Sequence, residues 1–194
     1  MTSNNTDPDF ANRLLDVIEK DIVPLTRKGV EDGNKVFGAA ILRKSDLSLV
    51  VAGTNFEIEN PLWHGEMSTL KSFYEIPEAD RPATTDCIFL TTHEPCSLCL
   101  SAITWTGFDN FYYFFGYEDT RDAFNIPHDL KILQEVFKVE HGDYNRRNDF
   151  WESHDLIDLA GDAGAPQVTR IKQAYDELSQ TYQASKDENS IPLS

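Results

Sequence analysis

The 194-residue chain has only three cysteines, Cys87, Cys96 and Cys99. A count that low and odd excludes a disulfide framework and fits reduced thiols or metal binding. Long hydrophobic runs are missing too. None approaches the ~18 to 20 apolar residues that a membrane-crossing helix needs. Basic residues are scarce: 17 lysines and arginines stand against 33 aspartates and glutamates, a formal net charge of −16. Non-specific nucleic-acid affinity depends on basic side chains displacing phosphate counterions, and no basic cluster is longer than Arg146-Arg147. A nucleic-acid partner is therefore disfavoured, and a small neutral molecule is favoured. The opening residues MTSNNTDPDF carry neither the basic nor the apolar stretch of a secretion signal, so the expected location is the cytoplasm.

What is present is ordinary globular composition, 40% hydrophobic and 11% aromatic, at a length suited to one substantial domain. Asp7-Pro8 reads as a helix start, followed by Phe10, Leu14, Leu15, Ile18 and Ile22 at helical spacing. Pro24 should kink or end that helix. VFGAAILRK and SLVVAGTN read as two strands joined across Lys44-Ser45-Asp46. A helix is expected from Trp63 or His64 to about Tyr74, a buried strand over Asp86 to Thr92, and a helix from Cys96 to Trp105. Phe111 to Phe115 reads as a strand, and Leu130 to Val139 as a helix ending in a fifth strand. Strands alternating with helices predict an α/β sandwich with helices on both faces of a sheet. The expected domain spans residues 1–160. GDAGAP at 161–166 is expected to be a linker. From Pro166 an amphipathic helix carries Val168, Ile171, Tyr175, Leu178 and Tyr182 on one stripe. This extension, 161–184, is expected to pack on the domain or on a dimer partner, with a disordered tail over 185–194.

Two short segments carry the chemistry. PLWHGEM supplies His64 and, two residues on, Glu66; EPCSLC supplies Cys96 and Cys99. Cysteines three apart in a first helical turn aim both sulfurs the same way, and the positive end of the helix dipole favours thiolates. One imidazole and two thiolates leave a tetrahedral zinc, one per chain, with an open position for water, the arrangement of a catalytic centre. Glu66 beside that position is the expected proton carrier. A closed structural site with Cys87 as fourth ligand is the weaker reading, because it leaves Glu66 without a role.

With these motifs the chain resembles the zinc-dependent cytidine deaminase-like superfamily, and within it the guanine deaminase and nucleobase deaminase branch. The resemblance runs from about Val36 to Val136. FGAAIL at 37–42, Gly53-Thr54-Asn55, His64-Gly65-Glu66 and EPCSLCLSAITW carry it. It implies a three-layer α/β/α fold around a mixed five-stranded sheet, and a homodimer. It also implies substrate contacts. Asn55 would hydrogen-bond the base, Trp105 matches a tryptophan of the guanine deaminase branch, and Phe37 would pack under the base. Asp129, in the stretch Asn125 to Asp129, falls where a guanine-reading carboxylate would lie. Each has a plainer alternative: a strand-end asparagine, core aromatics and a solvated helix-start aspartate. The expected reaction is hydrolytic deamination of a small amino-substituted base, guanine or a related aminopurine. Cytosine or cytidine, tRNA adenosine, and a catalytically silent zinc scaffold are the alternatives.

Overall fold

The structure is a computed structural model that describes residues 8–124, 126–139 and 143–193. Asp7, the expected helix cap, therefore lies outside the described residues, as do Asn125 and His141. Five strands form one mixed sheet in the order β2-β1-β3-β4-β5. They are β1 (Gly38–Arg43), β2 (Leu49–Thr54), β3 (Cys87–His93), β4 (Asn110–Phe115) and β5 (Glu152–Asp155). β1 runs antiparallel to β2 and β3, whereas β3, β4 and β5 are parallel. The antiparallel hairpin needs only the turn at 44–48; each parallel step needs a crossover.

Successive side chains of a strand point to opposite faces, and here both faces are buried. Ala40, Leu42, Ile88, Leu90, Tyr112 and Phe114 join a core with helices α1 (Pro8–Val17), α2 (Val23–Glu31) and α7 (Leu156–Ser185). Ala39, Ile41, Phe89, Phe111 and Tyr113 pack with Leu70 and Phe73 of α3 (Gly65–Glu75) and with Leu100 and Ile103 of α4 (Ser97–Trp105). Two apolar cores on either side of one sheet make a three-layer α/β/α sandwich. Among the described residues no helix is long and apolar enough to cross a membrane.

Four expectations change. Pro24 does not end the first helix. A π-turn at Ile18–Ile22 precedes it, and Pro24 sits at the start of α2, where a missing N–H costs little. Residues 136–139 are not a strand: after the short α5 (Tyr117–Asp122), α6 (His128–Glu135) ends in a turn, with Lys138 at φ 61°. The fifth strand is instead Glu-Ser-His-Asp at 152–155, a half-buried edge with no apolar alternation to mark it. The linker expected at 161–166 shrinks to a single kink at Gly161 (φ 52°, ψ −154°) within α7. α7 packs on α1 and on the π-turn that follows it in the same chain: Gln167 Nε2 donates to Asp16 of α1 at 2.8 Å, and Arg170 Nε meets Glu19 Oε1 of the π-turn at 2.6 Å. Beyond it, residues 186–193 form a short turn and return to the body. Asn189 Nδ2 donates to the Gly33 carbonyl at 3.2 Å, and Ile191 is buried.

Candidate functional site

The site lies where β1 begins and β3 ends, because antiparallel pairing brings these points together. Thr92 Oγ1 ties them: it accepts from the Gly38 amide at 3.0 Å and donates to the Gly38 carbonyl at 3.1 Å. Both metal-motif helices start over this junction. His64 is the N-cap of α3, and Cys96 is the N-cap of α4. Gly65 allows the close approach. A Cβ there would lie 2.8 Å from Gly38 Cα and from the Phe37 carbonyl oxygen, inside contact distance of backbone that cannot swing away.

His64, Cys96 and Cys99 converge. His64 Nδ1 lies 3.5 Å from Cys96 Sγ and 3.7 Å from Cys99 Sγ, and the two sulfurs are 3.7 Å apart. An ion ~2.3 Å from each sulfur and ~2.0 Å from the nitrogen at tetrahedral angles requires edges of about 3.5 to 3.8 Å, so the donor set fits zinc. Its electrostatics suit a cation as well. Hydrogen bonds from the Cys99 thiol and His64 hold Cys96 well below the usual thiol range, so it is the thiolate of the pair. Burial and that neighbouring charge push Cys99 up. Burial opposes the charged form of His64, but Cys96, Glu57 and Glu66 outweigh it and raise His64 to about 9. Cys87 takes no part. It sits at the far end of β3, about 20 Å along the strand from His93, and burial lifts its thiol to about 11. The four-ligand closed site is thereby excluded.

Glu66, in the first turn of α3, is buried, with Oε1 3.2 Å from Thr91 Oγ1. Burial first, and then the Cys96 charge, raise its carboxyl to about 7. Glu66 and His64 line a cavity of about 250 Å³ with Phe37, Asp129, Cys96, Lys35 and Glu57. That volume lies below the ~300 to 1,000 Å³ usual for drug-sized ligands and suits a single small heterocycle. Burial and the Cys96 charge raise Asp129 to about 8.

The other expected contacts divide. Phe37 is on the cavity wall, edge-on to His93 with centroids 4.7 Å apart. Burial pushes His93 down to about 3, so its ring is neutral. Trp105 is not at the site: it is 90% exposed at the far end of α4. It lies nine positions after Cys96, about 13 Å along the helix axis. It is not a core residue either. Asn55 is fully buried behind the cavity wall. Its Nδ2 donates to Glu57 Oε2, while its Oδ1 has no partner. Glu57 faces the cavity in its place. His128 lines the cavity too.

Several residues escaped the sequence reading. Lys35 and Glu57 are 22 positions apart in polar segments, and no spacing rule joins them. Glu94 is sealed by Arg146 at 2.6 Å, the Tyr144 hydroxyl at 2.7 Å and the Tyr117 amide at 3.0 Å, which anchors the turn before Cys96. Pro192 and Leu193 of the tail complete the wall.

Residues 19–115 match the family described as the cytidine and deoxycytidylate deaminase zinc-binding region. A curated cytosine deaminase from Candida albicans is 33% identical over 84 residues, covering 42% of this chain and 53% of the relative. The match thus spans about half of that relative's length. Among solved structures, a guanine deaminase from Nitrosomonas europaea superposes with a TM-score of 0.51 at 15% identity, covering 89% of this chain and 86% of its own. A diaminohydroxyphosphoribosylaminopyrimidine deaminase/5-amino-6-(5-phosphoribosylamino)uracil reductase from Thermotoga maritima gives 0.52 at 16%, covering 90% of this chain and 42% of that protein. At such identities these structures establish the fold alone.

Proposed function

Because the chain belongs to the cytidine and deoxycytidylate deaminase zinc-binding family, we propose that it hydrolyses the exocyclic amine of a small nucleobase, guanine or a related aminopurine, and releases ammonia. The observation that carries the reading is the buried Glu66 carboxyl beside a three-ligand metal set at the wall of a small cavity.

Zinc is the cofactor of this family, and His64, Cys96 and Cys99 are the residues that would hold it here. The chemistry supplied by the bound ion is Lewis acidity, which makes water a nucleophile near neutral pH. Glu66 takes the proton of the attacking water and passes it to a ring nitrogen. It then carries the second proton to the departing amine, so the C–N bond breaks, the water oxygen stays on the carbon as an oxo group, and ammonia leaves. Thr91 fixes one oxygen of this carboxyl, and burial gives it the proton affinity that such a shuttle needs. Phe37 offers the base an apolar face. Asp129 lines the same cavity, where its carboxyl would read guanine by accepting N–H donors of the Watson–Crick edge. The charge of −16 disfavours a polynucleotide partner.

Ammonia release from zinc-loaded protein over guanine, guanosine, adenine, cytosine and cytidine tests the reading, with Glu66→Ala as blank. Guanine should be the best substrate. No ammonia from any of them would sink the enzyme reading. Cytosine is the second reading, favoured by the identity to a cytosine deaminase; Asp129→Ala should cripple guanine turnover and spare cytosine.

A further inference from the structure

The cavity wall holds a buried ion pair that the deamination chemistry above does not use. Lys35 lies in the segment entering β1, and Glu57 lies in the loop between β2 and α3. Lys35 Nζ donates to Glu57 Oε1 at 3.1 Å, with side-chain exposures of only 8% and 3%. Glu57 is held from three sides: by Lys35, by Asn55 Nδ2 on its other oxygen, and by His64 Nε2 at 3.7 Å from Oε1. The backbone around the pair is locked as well. Asn34 Oδ1 accepts from the Ile58 amide at 3.0 Å, and its Nδ2 donates to the Gly29 carbonyl at 3.1 Å. Lys35 itself is less engaged. An ammonium has three donors, and Glu57 is its one hydrogen-bond acceptor among the described residues. A buried pair of this kind seldom stabilises a fold better than apolar side chains of the same volume. Its place on the wall, facing the space shared with Glu66 and Asp129, points to a ligand.

We propose that Lys35 is a specificity residue: its remaining N–H groups donate to an oxygen on the substrate ring, while Glu57 holds the ammonium in position. This rests on the deaminase reading. Asn55, spent on Glu57 behind the wall, does not make that contact. The site then selects aminoheterocycles that bear a ring oxo group over the same frames without one. Rejection follows from chemistry, since a buried donor facing a C–H loses its partner and is not rehydrated.

Two matched pairs test this: guanine against 2-aminopurine, and cytosine against 4-aminopyrimidine. Ammonia release gives kcat and KM separately for zinc-loaded wild type, Lys35→Gln and the double variant Lys35→Met/Glu57→Gln. The double variant removes both charges, so neither is left buried alone, and Lys35→Gln keeps a donor to Glu57. Intrinsic ring reactivity cancels when each variant's ratio is divided by that of wild type. The oxo preference should fall about 10- to 100-fold in the double variant, through KM of the oxo substrates, at unchanged zinc content. Wild-type preference retained in both variants would overturn the assignment and leave the deaminase reading standing. So would equal loss on both members of each pair. If wild type releases ammonia from none of the four bases, guanine and cytosine fail as substrates and Lys35's role with them.

Discussion

Glu66 and Asp129 are two carboxyls in one cavity with proton affinities raised by the same causes, burial and the Cys96 charge. Their roles separate by position. Glu66 sits beside the ligand set, so Glu66→Gln should cut turnover about 10²- to 10⁴-fold. Zinc content, measured by metal analysis, should not change; a loss of zinc would instead give Glu66 a part in holding the metal. Asp129 makes no such contact and should report through stability. Its carboxyl is raised from 3.8 to about 8, so the folded form keeps a proton that the unfolded form releases. Stability from this group is complete below pH 3.8 and is lost as pH rises through about 8. Asp129→Asn, which cannot ionise, should gain in Tm over wild type progressively from about pH 4 to about pH 8. A difference that stays flat with pH would show that the group ionises freely.

At the scale of elements, the site depends on how closely α3 settles on the start of β1. Gly65→Ala places a methyl 2.8 Å from backbone atoms of residues 37 and 38, so the helix must lift. Overpacking of this sort costs about 1 to 3 kcal/mol, and the lift carries His64 away from Cys96 and Cys99. A urea melt should therefore show a lower midpoint, together with weaker zinc retention. Gly65 was legible in sequence only as the middle of His-Gly-Glu. Its steric reason comes from β1, 27 positions earlier at Gly38. The central strands were legible because every residue of β3 and β4 is buried, which leaves continuous apolar runs. β5 was not, because an edge strand is half solvated and its four residues need no apolar face. Pro24 and the 161–166 segment misled for a shared reason: a π-turn and a single left-handed glycine absorb what a local rule counts as a break.

For the whole molecule, the exposed indole of Trp105 at the end of α4 is the feature a monomer leaves unexplained. We propose that the homodimer expected from the resemblance, if formed, covers it. Trp105→Glu should shift the sedimentation mass from dimer towards monomer while leaving zinc content intact; wild type sedimenting as a monomer would remove the dimer. The pairing of His64-x-Glu66 with Cys96-x-x-Cys99 was readable without coordinates, because each ligand set is local and helical periodicity alone aims its members one way. The alternation of strands and helices likewise announced the α/β sandwich. Nothing local could have exchanged Asn55 for Glu57 at the wall, brought Lys35 to meet it, or carried Trp105 away from the cavity and Pro192 to its edge. Those placements follow from strand order and helix length, which join residues far apart in the chain. The metal chemistry is written in short-range spacing, and the choice of substrate in long-range contact.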